Sequence, residues 1–492
     1  MTQLSKQKND LVHYTAVFLV LVIALNIFYL VWVVPQLNGK IGMLFYSAEF
    51  GLFSLTLLFA TCHFNRYEVP EQKPNGKEHK PSVDVFIPCY TEPLAMIERT
   101  VRAATRMTYK NKHIYVLDDS NREEVKNIAK RHRVQYLSRT NNKDAKAGNL
   151  NNGLKHSYSE FILVLDADQV AEPTLIECVL PYFKNDPQIA FVTTKQRFDV
   201  HHKDFNRDNL FYDHMQVGKN KDQCPISTGS GVIYRRHALI KIGGFITWNL
   251  VEDLTTSYIL HQNGFKSVYV NQSFTTGLAP QDVKNIYKQR GTWAVDTLRL
   301  FWHKNPFLAK GLTFKQRLHY FEMCYAYIVS GIFIPMLFFF PAFSLLTNIS
   351  VIHAGWEYLL IRTPGLLAII LFYDNMSKGH ESNQMWVSLW PIYFKSIFIA
   401  MKKQKIGYKV TQKVEKPESR IRFVIPQLIM LSFGLFAIPF NIILYGASAS
   451  TLINSLWIAL ELWWIYPILH KGFSKSYRHV PTLHSDVGEQ YS

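Results

Sequence analysis

Phe161-Ile162-Leu163-Val164-Leu165-Asp166-Ala167-Asp168 decides the reading of this chain. A short apolar run that ends abruptly in two aspartates reads as a buried strand with a polar carboxyl end. The same design recurs upstream. The run at 83–90 leads into Pro88-Cys89-Tyr90-Thr91-Glu92-Pro93, and the run at 113–120 ends Asp118-Asp119-Ser120. Further strands are predicted at 134–138 and 189–195, and helices at 94–107, 122–133 and 145–156. Alternation of this kind, continuing from Val83 to about Asn271, predicts a mostly parallel sheet with helices on both faces. In such sheets ligands gather at the carboxyl ends of the strands, where these acids lie. No GxGxxG follows any of the strands, which excludes the dinucleotide-binding fingerprint.

Carboxylates at i and i+2 of a strand end can share a divalent cation when the chain turns. Mg²⁺ and Mn²⁺ favour such hard oxygen donors and keep open positions for phosphate. A lone acid pair also caps ordinary turns. The second acidic strand end, Asp118-Asp119, favours the cation reading, because clustered like charges need compensation.

Outside this region the composition changes. Runs at 11–34, 41–62, 323–346, 356–373, 423–445 and 452–469 each approach the roughly 20 apolar residues that cross a bilayer. The run at 356–373 carries Arg362 and Pro364 and is the weakest of these. The first is too long for a signal-peptide core and lacks a small-residue cleavage site. Lys6 and Lys8 precede the first span, Lys402, Lys403, Lys405, Lys409 and Lys413 lie between the fourth and fifth, and Lys471, Lys475 and Arg478 follow the last. This bias predicts six spans with both termini and the central region in the cytoplasm, at the plasma (inner) membrane. Residues 384–401, with Trp386, Trp390, Phe394 and Phe398 at helical spacing, predict one interfacial amphipathic helix. Glu49 and Glu461 fall inside predicted spans, where an ionisable group faces a cavity or a partner helix.

The 492 residues carry a formal charge of +17. That excess suits an anionic membrane surface or a phosphate-bearing substrate. Nucleic acid is not expected, since neither zinc-finger spacing nor basic-region heptads are found. The five cysteines are scattered without a CxxC pair, which predicts neither a disulfide framework nor a zinc site.

Farther along come Val251-Glu252-Asp253 and then Gln289-Arg290-Gly291-Thr292-Trp293. Taken with Asp118-Asp119, Lys146-Ala147-Gly148-Asn149 and Asp166-x-Asp168, they form an ordered set. This set resembles the processive family-2 glycosyltransferases, and bacterial cellulose synthase catalytic subunits and capsular β-glucan synthases in particular. Gly229-Ser230 and Arg235-Arg236 are also similar. The segment Tyr408-Lys409-Val410-Thr411-Gln412-Lys413 resembles the family's gating loop.

The resemblance implies a GT-A-like α/β glycosyltransferase domain at 71–315 inserted in a multi-span helical membrane domain. Two spans would lie in 1–70 and two in 316–375. The interfacial helix and gating loop would follow in 376–421, two more spans in 422–470 and a tail in 471–492. It also implies roles for residues. Tyr90, Thr91, Glu92 and Asp118 would hold uridine. Asp166 and Asp168 would bind Mg²⁺ or Mn²⁺ with the donor diphosphate, and Lys146 would lie nearby. Asp253 would be the general base. Gln289, Arg290 and Trp293 would line the acceptor and diphosphate site, and Thr411 and Lys413 would close over the nucleotide.

The expected activity is processive, inverting polymerisation of a β-glucan from UDP-glucose onto a growing polysaccharide, with export through the protein's own channel. A hyaluronan- or chitin-type synthase and a non-processive enzyme acting on a lipid-linked sugar are the alternatives. Oligomeric state is left open. Departures from the family pattern are Thr292 for a second arginine, Val251 for threonine and Thr228 for cysteine. The short tail carries no expectation of a cyclic-di-GMP-binding PilZ domain.

Overall fold

The computed structural model describes residues 3–64, 67–72, 80–200, 208–403 and 421–473. The gating-loop segment, with Thr411 and Lys413, lies outside these residues. An eight-stranded sheet forms the centre of the soluble region. Its strands are β1 (Val83–Cys89), β2 (Lys112–Asp118), β3 (Gln135–Ser138), β4 (Phe161–Val164), β5 (Val170–Ala171), β6 (Ile189–Asp199), β7 (Val232–Arg235) and β8 (Lys266–Leu278). They lie in the order β3-β2-β1-β4-β7-β6-β8-β5.

The half built from β3, β2, β1 and β4 is parallel. Beyond β4 the sheet is mixed, since β7 runs antiparallel to both β4 and β6, and β5 runs antiparallel to β8. The long β6–β8 ladder is parallel again, so the expectation of a mostly parallel sheet holds, with β7 and β5 as the two reversed strands. After β6 the chain passes through the helical segments Leu210–Met215 and Gln216–Asn220 and returns as β7 between β4 and β6, antiparallel to both. This reversal matters for the site, because it brings the start of β7 to the edge where β4 ends.

Apolar side chains fill both faces of the sheet. Val85, Ile87, Val116, Leu163 and Ile233 belong to one buried cluster, and Phe86, Leu117, Val164, Phe191 and Tyr234 to the other. Asp84 is a charged group in this interior, and it takes hydrogen bonds from Ser159 N–H (2.8 Å), the Ser159 hydroxyl (2.7 Å) and Arg236 Nη2 (2.6 Å). A buried carboxylate with three donors carries its desolvation cost without an orphaned lone pair.

Among the described residues, six helical stretches are long and apolar enough to cross a membrane: Val17–Gln36, Gly39–His63, Phe314–Thr347, Trp356–Ser377, Ile425–Tyr445 and Ala449–Phe473. The fourth contains Arg362, and the structure shows how a span tolerates it. Its guanidinium makes a two-pronged pair with Glu49 of the second helix (Nε to Oε1 3.1 Å, Nη2 to Oε2 2.7 Å) and lies 4.7 Å from the Tyr29 ring centroid. Bidentate geometry and a π face replace the water that the charge has lost.

The region 384–401 corrects the single amphipathic helix read from the sequence. Two helices stand there, His380–Ser388 and Trp390–Met401, joined at Leu389. Pro391 lacks an N–H to continue the first helix but suits the first turn of the second. The aromatic stripe is divided accordingly. Trp386 points inward and donates to Ser330 Oγ (2.7 Å), while Phe394 and Phe398 are exposed.

Soluble and membrane parts are joined by a buried polar cluster. Glu322, on the third span, accepts from His63 Nε2 at 2.8 Å and lies 3.9 Å from Lys219 Nζ of the soluble region. Cys62, His319 and Glu322 bring their ligand atoms within 4.8 Å of one another, a proximity that sequence spacing does not reveal. All five cysteines are free thiols. With both ends of the Lys219–Glu322 contact about 1% exposed, Glu322→Leu strips the counter-charge from a buried ammonium. The expected cost is about 3–5 kcal/mol, read as a lower unfolding temperature of detergent-solubilised protein. An unchanged temperature would refute the pairing.

Candidate active site

The ends of β1, β2 and β4 each supply part of a common cavity of about 1180 Å³. The turn after β1 brings Tyr90, Thr91 and Glu92 to its wall. Glu92 also closes its own turn by accepting the Tyr90 N–H at 2.6 Å.

The turn after β2 is organised by Asp118, which has no exposed surface. Its carboxylate takes Ser120 N–H (3.1 Å), the Ser120 hydroxyl (2.8 Å), Arg122 N–H (2.7 Å) and the Tyr136 hydroxyl (3.0 Å). With its lone pairs used inside the turn, Asp118 shapes the wall, and Asp119 is the member of the pair that lines the cavity. Asp119 is ion-paired with Arg139 through Nε and through Nη2 (2.7 Å).

After β4 the chain turns at Asp166, and Gln169 N–H closes that turn onto the Asp166 carbonyl at 2.9 Å. Asp166 and Asp168 both line the cavity. Ser230, just before β7, accepts the Asp166 N–H at 2.9 Å. Lys146 reaches in from the helix Ala145–Lys155. Its ammonium lies 2.7 Å from Asp166 Oδ1, 2.9 Å from Glu252 Oε1 and 2.9 Å from the Gly229 carbonyl. Burial opposes its charge, but Asp166 and Glu252 outweigh it and push the lysine well above its ordinary range.

Glu252 and Asp253 open the helix Glu252–Gln262. Asp253 is half-buried at the cavity wall, and desolvation there, reinforced by the charge of Glu252, raises its carboxyl to about 7. Gly229 permits this approach. It has φ +77°, and a Cβ there would stand 2.8 Å from Asp253 Oδ2 and 3.3 Å from Lys146 Nζ.

The helix Val283–His303 supplies Gln289, Arg290, Thr292 and Trp293 to the same cavity. Arg290 lies 4.8 Å from the Trp293 ring centroid and pairs with Asp208 at 2.5 Å. Thr292 turns its hydroxyl back to the Lys288 carbonyl (2.8 Å). Gly291 faces the helix Trp390–Met401, where a Cβ would come within 2.8 Å of Ile392. The glycine inside this motif therefore lets the two helices pack closely.

The cavity does not end at the soluble domain. It continues between the membrane helices past Glu49, Phe340, Arg362, Trp457 and Glu461, and reaches Ser350–Ile352 at the far side.

Of the residues singled out from sequence, Tyr90, Thr91, Glu92, Lys146, Asp166, Asp168, Asp253, Gln289, Arg290 and Trp293 share this cavity, while Asp118 stands behind its wall. Among the cavity residues that escaped the sequence reading are Asp208 and Asp296. Asp208 adjoins no recognisable motif. Asp296 lies one helical turn beyond Trp293, so the i, i+3 relation was a usable signal.

The sequence model described as "Glycosyltransferase like family 2" matches residues 81–295, and that described as "Cellulose synthase" matches residues 240–372. The cellulose synthase catalytic subunit [UDP-forming] of Pseudomonas fluorescens (strain SBW25) is 30% identical over 415 residues, covering 79% of this chain and 55% of that protein. The cellulose synthase 1 catalytic subunit [UDP-forming] of Komagataeibacter xylinus is 26% identical over 504 residues, covering 93% of this chain and 66% of its own length. The chain thus spans between half and two thirds of these two relatives. Among solved structures, the mannosyltransferase PcManGT from Pyrobaculum calidifontis, in complex with GDP-Man and Mn²⁺, shares the fold. Its TM-score is 0.55 at 17% identity, covering 73% of this chain and 98% of that one.

Proposed function

Since this chain carries a family-2 glycosyltransferase domain and is homologous to the bacterial cellulose synthase catalytic subunits, we propose that it polymerises a β-glucan from UDP-glucose and exports it through its own membrane domain. The observation that carries this reading is a single cavity with Asp166, Lys146 and Asp253 at one end and the membrane helices at the other. A polymer extended at the first end has a continuous path to the second. The same reading places the chain in the inner membrane with its catalytic domain in the cytoplasm, where UDP-sugars are made.

Asp166 and Asp168 offer carboxylate oxygens to the cavity from one turn, which fits Mg²⁺ or Mn²⁺. Such a cation would neutralise charge on the donor diphosphate. The remaining chemistry is done by the chain. Tyr90, Thr91, Glu92 and Asp119 form the wall against which the nucleoside rests. Trp293 stacks on the terminal acceptor sugar, and Arg290 and Lys146 face the diphosphate. Asp253 takes the proton of the acceptor hydroxyl as that oxygen bonds to the anomeric carbon. The bond from that carbon to UDP breaks on the opposite face, so an α-linked donor yields a β-linked product, and UDP departs with the bonding electrons. Thr411 and Lys413 belong to this proposal through the resemblance of their segment.

A base must be ionised to act. With Asp253 at about 7, turnover is expected to fall with each unit of pH below that value. Glu252→Gln removes a neighbouring negative charge, which lowers the Asp253 pKa and moves this acid limb to lower pH. Steady-state rates across pH measure both, and an unmoved limb in that variant would remove Asp253 as its source. Asp253→Asn is expected to bind UDP normally by calorimetry while polymer synthesis drops about 10²- to 10⁴-fold; full activity would sink the assignment.

Purified protein given single UDP-sugars is expected to make polymer from UDP-glucose, cleaved by a β-glucanase. EDTA is expected to stop synthesis, and Mg²⁺ or Mn²⁺ to restore it. Incorporation from a different UDP-sugar alone would replace the glucan with the hyaluronan- or chitin-type alternative, and turnover insensitive to EDTA would remove the metal role of Asp166 and Asp168.

A further inference from the structure

Asp296 belongs to no motif discussed above, yet it is only 1% exposed at the wall of the catalytic cavity. It lies on the helix Val283–His303, three residues beyond Trp293. Its Oδ1 accepts two backbone N–H groups from another part of the chain, Leu250 at 2.8 Å and Val251 at 3.3 Å. Those two residues lead directly into Glu252 and Asp253.

Val251 occupies the capping position of the helix Glu252–Gln262, with extended backbone and no side-chain oxygen to hold it. The anchor therefore comes from the neighbouring helix. It is reinforced by Asn249, whose Nδ2 donates to the Asp296 carbonyl (3.0 Å) and to Thr255 Oγ1 (3.3 Å). Arg299, one turn farther along the Asp296 helix, donates from Nε to Asn249 Oδ1 at 3.1 Å.

We propose that Asp296 is a positioning residue that holds Asp253 at a set distance from the sugar stacked on Trp293. The geometry behind this is a ruler. The aromatic platform and the anchor sit one turn apart on a single rigid helix, so the backbone held by Oδ1 keeps the carboxylate of Asp253 in register with the platform. Sub-ångström placement of a base matters because a misplacement of about 1 Å costs on the order of 10²-fold in rate.

Burial, with the Asp253 charge added, pushes the Asp296 carboxyl well above the ordinary range. Its Oδ2 is buried with no hydrogen-bond partner among the described residues, as suits a group whose work is done through Oδ1. A carboxamide keeps an oxygen that can accept the Leu250 and Val251 N–H groups, whereas a methyl group does not.

The inference rests on the proposed role of Asp253, and the experiment separates the two. Asp296→Ala and Asp296→Asn are compared with wild type and Asp253→Asn in full-length detergent-solubilised protein, reading kcat, donor KM, UDP affinity and unfolding temperature. The Ala variant is expected to lose on the order of 10²-fold in kcat with donor KM and UDP affinity unchanged, and Asn is expected to recover most of that loss. An Ala variant with wild-type kcat overturns the proposal. So does an Asn variant as slow as Ala, which would show that charge and not the anchor is needed. A parallel loss of UDP affinity also overturns it, by showing general collapse of the site. If Ala does not fold, Asn alone decides, since a slow Asn variant is again fatal. An active Asp253→Asn would instead overturn the base assignment, whatever the Asp296 variants do.

Discussion

The Lys146 ammonium touches Asp166, Glu252 and the Gly229 carbonyl at 2.7–2.9 Å, and the site depends on that convergence. Three separate pieces of chain meet there: the turn after β4, the lead into β7 and the start of the helix Glu252–Gln262. Without a cation between them, Asp166, Glu252 and Asp253 would repel one another across a poorly solvated space. With it, that repulsion is compensated, and Asp253 is left with a proton affinity near neutrality. Electrostatic assembly of the site and the tuning of its base are thus one effect seen twice.

Backbone direction makes the convergence possible. A sheet parallel throughout would carry the start of β7 to the edge opposite the end of β4. Because β7 runs antiparallel, Gly229 and Ser230 arrive beside Asp166, and Ser230 accepts the Asp166 N–H. Glycine at 229 leaves room for Asp253 to approach, and glycine at 291 lets the helix Trp390–Met401 lie against the helix that carries Trp293. Small residues here act by permitting contacts that any side chain would block.

The membrane helices continue the same logic in a less polar setting. Arg362 and Glu49 neutralise each other with bidentate geometry beside a cavity that runs on from the soluble domain. Lys219, His63 and Glu322 form a second buried group where the two regions meet. Charge buried at both places favours a fixed arrangement of helices, since sliding either helix would strand an ion away from its partner.

Much of this was legible in the residues themselves. Apolar runs of sufficient length mark the six helices, since crossing a bilayer demands a run that no other constraint demands. Strand ends such as Phe161–Asp168 mark the cavity's rim, because an abrupt change from apolar to acidic locates the end of a buried strand. What only the tertiary structure decided were relations between distant segments: the antiparallel β7, the break at Leu389, the retreat of Asp118 behind Asp119, the Glu49–Arg362 pair and the anchoring of Val251 by Asp296. Each joins groups whose separation along the chain says nothing about their separation in space. Periodicity is a property of one segment, whereas the partner of a buried carboxylate is set by which other segment packs against it.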